Sequence, residues 1–113
     1  MQNSHDAVLL RIFIGENDKC GHQPLYEAIV LKAREQHLAG ATVLRGPVGF
    51  GHSSRLHMAT ILRLSEDLPI VIEIVDAEDK INEFLKTLEG LMPSGLVTLE
   101  KVQVLQYGKT GQL

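Results

Sequence analysis

Apolar residues recur along the chain with two alternating periods. Ala7 to Ile14 (AVLLRIFI) is an aliphatic, β-branched run closed by Gly15, which predicts a first strand. The polar stretch from Gly15 to Gln23 predicts a loop. Pro24 suits the first turn of a helix, where a missing N–H leaves no hydrogen bond unmade. At helical spacing Leu25, Tyr26, Ile29, Val30 and Ala33 share one face, while Glu27, Arg34 and Glu35 share the other. The helix should run to about Leu38 and stop at Gly40. Ala41 to Arg45 predicts a second strand, entering a segment from Gly46 to Gly51 with three glycines and Pro47. Polar residues through Met58 predict an exposed loop, followed by an extended stretch from Ala59 to Leu64. Leu68 to Val75 predicts a third strand. Asp76 stands where an N-cap belongs, with Asp79 at the third helical position to favour the helix dipole. Ile81, Phe84, Leu85, Leu88, Leu91 and Met92 then form a narrow apolar stripe, broken by Pro93-Ser94-Gly95. Leu96 to Leu99 and Lys101 to Tyr107 supply a last strand or strand pair. The order predicts an α+β, ferredoxin-like βαββαβ sandwich, with two helices on one face of a four-stranded antiparallel sheet. One domain should span residues 1–113, with an ordered core over about 7–108.

Two helices cover only one face of such a sheet, so a monomer should show strict apolar–polar alternation in its strands. The alternation is broken. Val8, Leu10, Ile12 and Ile14 share one face of the first strand, but Leu9 and Phe13 flank Arg11 on the other. In the third strand Ile70, Ile72 and Ile74 oppose Val71, Glu73 and Val75. In the last, Val102 and Val104 oppose Gln103, Leu105 and Tyr107. A second face of this character marks an interface or, alternatively, is covered by an extra loop, although most loops here are too short for it; Arg11 and Glu73 pair within the face or across it.

Composition narrows the function. The 113 residues carry a formal net charge of −3, against the clustered basic surface that nucleic-acid binding needs. The longest apolar run, Leu68 to Val75, is interrupted by Glu73 and is far too short to span a bilayer. No basic segment followed by a long apolar stretch opens the chain, and a single Cys20 excludes an internal disulfide framework. A cytoplasmic location is the expectation.

Few residues suggest chemistry. Gly46, Gly49 and Gly51 could form a backbone nest for a phosphate, with Arg45 supplying charge, or could simply permit a bulge and sharp turn. Thr42 is read either as a hydrogen-bonding ligand contact or as an ordinary β-branched strand residue. None of the five histidines has the helical spacing or cysteine partnership of a zinc site. His52 and His57 flank the loop as ligand or partner contacts, or as solvated residues. No nucleophile, base and orienting group assemble, so no catalytic residue is expected.

Gly40-Ala41-Thr42-Val43-Leu44-Arg45-Gly46-Pro47-Val48-Gly49-Phe50-Gly51 resembles the strand of PII signal-transduction proteins that leads to the base of a long loop. Leu68-Pro69-Ile70-Val71-Ile72-Glu73-Ile74-Val75 resembles their third strand. Closer still is the PII-like family called domain of unknown function 190. Its pattern is matched by Pro24-Leu25-Tyr26-Glu27, by Gly40 to Gly46, by Leu64-Ser65-Glu66-Asp67-Leu68-Pro69 and by Val75-Asp76. The resemblance implies a homotrimer with sheets packed inward and a ligand in the intersubunit clefts. That ligand would be an adenine nucleotide, contacted by Thr42, Arg45, Gly46, Gly49, Phe50, Gly51 and His57. The loop near residues 46–58 would then signal to a partner protein, with a membrane transporter or channel as target class. Departures from PII matter: its lysine after the proline is Ile70 here, and its last-strand arginines correspond roughly to Gln103 and Leu105. Fewer cations favour AMP or ADP over ATP, with no required cofactor. The alternative is a structural or metal-responsive trimer similar in architecture to the CutA divalent-cation tolerance proteins.

Overall fold

The computed structural model describes residues 4–50, 56–58 and 67–108, with the backbone alone at 48–50 and 56–58. Its spine is the eleven-residue strand His5–Gly15 (β1), whose even-numbered residues Leu10 and Ile12 are fully buried. Two short strands, Lys19–Cys20 (β2) and Gln23–Pro24 (β3), pair around a turn holding Gly21. Helix Leu25–Glu35 (α1) follows, then the edge strand Thr42–Arg45 (β4). Val48–Phe50 (β5) and Leu56–Met58 (β6) form a small hairpin. Pro69–Asp76 (β7), helix Glu78–Leu91 (α2) and Leu96–Val104 (β8) complete the order. The main sheet runs β4-β7-β1-β8 and every pairing within it is antiparallel. This is the expected α+β ferredoxin-like arrangement.

The core lies between the sheet and the helices. Val8, Leu10, Ile12 and Ile14 meet Ile70, Ile72 and Ile74 in register, and Leu25, Ile29, Ala33, Ile81, Phe84 and Leu88 pack onto them from the helices. The sequence periodicities had separated these faces correctly, because burial on one side enforces period two in strands and a single stripe in helices.

Three expectations are corrected. The stretch through Met58 is not simply an exposed loop. Val48 is the register partner of Met58, and Phe50 of Leu56, along the β5–β6 backbone, a pairing of positions that the intervening polar residues concealed. The predicted extended stretch 59–64 lies outside the described residues. The last strand is continuous through Glu100 and Lys101, since an edge strand tolerates charge that solvent can reach. Asp76 is the last residue of β7 rather than an N-cap, and Ala77 caps α2 without a side-chain bond, leaving Asp79 at the second helical position.

Asp76 is only 2% exposed and ties two chain segments together. Its Oδ2 accepts the Ala39 N–H at 2.8 Å and its Oδ1 accepts the Ala77 N–H at 2.7 Å. Ala39 lies in the connection from α1 to β4. The same connection is held by Lys80 Nζ donating to the His37 carbonyl at 2.8 Å and by the Tyr107 hydroxyl donating to the Ala39 carbonyl at 2.7 Å. His37 adopts a left-handed conformation, φ 60°, which these contacts offset.

Among the described residues no helix covers the opposite sheet face. Leu9, Phe13, Val71 and Val75 are half-buried there, while Leu44 and Leu96 are 49% and 56% exposed. In its centre Arg11 Nε donates to Glu73 Oε2 at 2.9 Å, and Arg11 Nη1 to Glu100 Oε1 at 3.1 Å. The Glu73 hydrogen bond, with the charges of both carboxylates, raises the Arg11 pKa above its usual value. The expected pairing of Arg11 and Glu73 is thus formed within one chain, across the β1–β7 register.

Replacing Asp76 by alanine should destabilise the fold by about 1–3 kcal/mol, since it strands the part-buried N–H groups of Ala39 and Ala77. Asp76→Asn, which keeps one acceptor oxygen, should recover part of the loss in urea unfolding. Gly95 sits at φ 132°, where an added Cβ would come within 2.6 Å of Met92 Cε and 3.1 Å of the Phe13 carbonyl. Gly95→Ala should therefore cost more than ~1 kcal/mol, read as a lower thermal midpoint.

Candidate functional site

Three chain segments meet at one end of the sheet: the exit of β1, the entry of β7 and the exit of β4. The ladder continues past the regular strands. Glu16 N–H donates to the Leu68 carbonyl at 2.7 Å, and Gly46 N–H to the Pro69 carbonyl at 2.8 Å. A side chain at Gly46 would bring its Cβ within 2.9 Å of Pro69 Cγ, so glycine allows β4 to close onto β7 just where the chain departs for the β5–β6 hairpin. The exit of β1 is equally well held. Gly15 N–H donates to Asp18 Oδ2 at 2.9 Å, and Asn17 N–H to Asp67 Oδ1 at 2.6 Å, with Asp67 only 5% exposed.

Arg45 shares its face with Ile70, the helix-covered side of the sheet, and its Nη2 lies 2.6 Å from Glu16 Oε2. The guanidinium therefore reaches past the entry of β7 to a carboxylate fixed at the exit of β1. The Arg45 side chain is 50% exposed and the Glu16 side chain 26%, so the pair stays open to solvent and to a ligand. Exposed pairs of this kind are weak, worth about 0–1 kcal/mol.

The residues singled out in the sequence are only partly gathered. Arg45 and Gly46 adjoin at the root of the hairpin, and Gly49 stands directly opposite His57, with Phe50 opposite Leu56. Thr42 pairs with Glu73 and so faces the uncovered side of the sheet, opposite to Arg45. An odd offset of three residues along a strand puts the two on different faces. Gly51 and His52 lie outside the described residues. Sequence reading overlooked Glu16 and Asp18 and set Asp67 aside, since adjacent carboxylates on an extended chain point apart; the Asp18 and Asp67 carboxylates both accept backbone N–H groups at the exit of β1. Nothing in the spacing of Glu16 and Arg45 announces their pairing, because it depends on β7 lying between β1 and β4.

Among the described residues no group of three or more His, Cys, Asp or Glu side chains is placed to hold a metal ion. No helix among them is long and apolar enough to cross a membrane. A shallow groove between α1 and α2, lined by Gln36, Leu38, Lys80, Glu83, Lys86 and Thr87, lies at the opposite end of the sheet from Arg45. Lys80 there already serves the His37 carbonyl.

Comparison with known proteins places this geometry in context. The sequence profile of the DUF190 family, described as Uncharacterized ACR, COG1993, matches residues 7–104. A UPF0166 protein of Aquifex aeolicus is 39% identical over 97 residues, covering 86% of this chain and 91% of that protein. Another from Methanocaldococcus jannaschii is 34% identical over 99 residues, covering 87% and 91%. Among solved structures, CPII, a nitrogen regulatory PII-like protein from Thiomonas intermedia K12 with ADP, AMP and bicarbonate bound, superposes with a TM-score of 0.69 at 17% identity, covering 90% of this chain and 91% of that one. The divalent ion tolerance protein CutA1 from Ehrlichia chaffeensis superposes less closely, with a TM-score of 0.56 at 9% identity, covering 91% and 85%. With most of its length matched by the family profile and by relatives above 30% identity, the chain belongs to the DUF190 (UPF0166) family and has the PII-like ferredoxin-like fold.

Proposed function

We propose that the protein is a non-enzymatic, cytoplasmic regulator of one domain that works as a homotrimer. In this reading it binds an adenine nucleotide, AMP or ADP, in clefts between subunits and signals through residues 46–58 to a partner protein. A membrane transporter or channel is the proposed class of partner. The ligand contacts proposed are Thr42, Arg45, Gly46, Gly49, Phe50, Gly51 and His57.

The observation that carries this reading is the position of Arg45 and Gly46. An accessible guanidinium adjoins a glycine backbone at the root of a hairpin, on an edge strand of a fold shared with a protein solved with ADP and AMP. A ligand there can touch the hairpin directly, and it shifts the hairpin only if it contacts one of its arrangements better than another. Two further features support assembly. The apolar second face around Leu9, Phe13, Leu44, Val71, Val75 and Leu96 carries no helix among the described residues, and the separation of Thr42 from Arg45 within one chain favours a site completed by a neighbouring subunit.

Two experiments test the reading. Phe13→Asp should place an unpaired charge in the proposed interface and convert a trimer to monomers in sedimentation velocity; a monomeric parent protein would defeat the assembly claim. Calorimetry with AMP, ADP and ATP, with and without magnesium, should give saturable binding, with AMP or ADP at least as tight as ATP. Arg45→Gln should weaken that binding about fivefold or more, the loss expected for one charge-assisted phosphate contact. Absence of binding by all three nucleotides would leave the CutA-like structural or metal-responsive reading.

A further inference from the structure

Arg45 is the cation nearest the root of the hairpin in the described chain, and it is not alone. Glu16 sits 2.6 Å away and offsets its charge. The carboxylate is also well placed rather than incidental. Its own N–H is bonded to the Leu68 carbonyl at 2.7 Å, the preceding N–H of Gly15 to Asp18 at 2.9 Å, and the following N–H of Asn17 to Asp67 at 2.6 Å. Three consecutive backbone donors are thus tied down, and the residue between the outer two has little freedom to swing away. Its side chain is 26% exposed, so solvent screens it less than a fully open carboxylate.

We propose that Glu16 is a specificity-determining residue that sets the site against polyphosphates. This rests on the adenine-nucleotide reading above and deepens it. A single phosphate can accept from Arg45 beside Glu16, because a weak ion pair at a half-exposed guanidinium leaves other N–H donors free to be shared. Each further phosphoryl group brings more negative charge beside a carboxylate that cannot retreat far, with Asp18 on the same turn and Asp67, at the entry of β7, bonded to it. The penalty therefore grows with ligand charge, and the site discriminates by a repulsive element as well as by its attractive one. The loss of cations relative to PII and the placed carboxylate of Glu16 are separate causes of the same preference, and only the second is reversed by changing Glu16.

The test is calorimetry with AMP and ATP on the full-length protein and on Glu16→Gln, with thermal unfolding confirming that the variant is folded. The variant should tighten ATP relative to AMP by about fivefold, equivalent to ~1 kcal/mol. Glu16→Asp, which keeps the charge while shortening its reach to Arg45, should retain most of the parent's preference. An unchanged AMP-to-ATP ratio in Glu16→Gln overturns the proposal while leaving the nucleotide reading intact. Equal weakening of both nucleotides also overturns it, since Glu16 would then merely orient Arg45. Binding of neither nucleotide to parent and variant alike overturns the nucleotide reading, and this proposal with it.

Discussion

A four-stranded sheet has two faces to shield, and this chain carries helices for one. Ile81, Phe84 and Leu88 from α2, with Leu25 and Ile29 from α1, close over the isoleucine ladder of β1 and β7. The reverse side keeps Leu9, Phe13, Val71 and Val75 in cross-strand contact, with Arg11, Glu73 and Glu100 joined at its centre. Burial of the first face is what makes the monomer fold, because period-two apolar patterning allows only one register to bury it. The second face is where the proposed trimer would draw its stability. The ion network there is satisfied within one chain, so an apposed surface would meet carboxylates already paired rather than isolated charges.

The two ends of the sheet are built differently, and the proposed function rests on the difference. At the Asp76 end, buried carboxylate oxygens and the Lys80 and Tyr107 side chains hold the α1–β4 connection, fixing the strand that carries Thr42 and Arg45. At the other end β1, β7 and β4 finish within hydrogen-bonding reach of one another, and the chain leaves for the β5–β6 hairpin from Gly46. A rigid anchor at one end and a departing hairpin at the other suit a device in which a small ligand alters what the hairpin presents. The proposed role of Glu16 fits the same arrangement, since its charge acts only because the turn holds it against Arg45.

Much of this was legible beforehand. The faces of β1 and β7, the apolar stripe of α2, the break at Pro93 to Gly95 and the order of the main elements follow from local periodicity and from turn residues. The likeness to PII-like proteins was carried by motifs such as Gly40 to Arg45 and Leu68 to Val75, and the family assignment agrees with it. The misreadings have separate causes. Asp76 looked like a helix cap because capping and strand-end bridging use the same residue type, and only the proximity of Ala39 separates them. The β5–β6 hairpin was hidden because runs of three residues are too short for a period to register.

Local sequence alone carries the buried faces of β1 and β7, the apolar stripe of α2, the order of the main elements and the apolar character of the second sheet face. Those properties are encoded by neighbours within a few positions of each other, where solvent transfer and backbone preference act locally. Only the tertiary structure decided that Arg45 meets Glu16, that Arg11 bridges Glu73 and Glu100, and that Thr42 and Arg45 face opposite ways. Each depends on strand order and register, through which β7 enters between β1 and β4, and partners 29 to 89 residues apart leave no periodic trace of their contact.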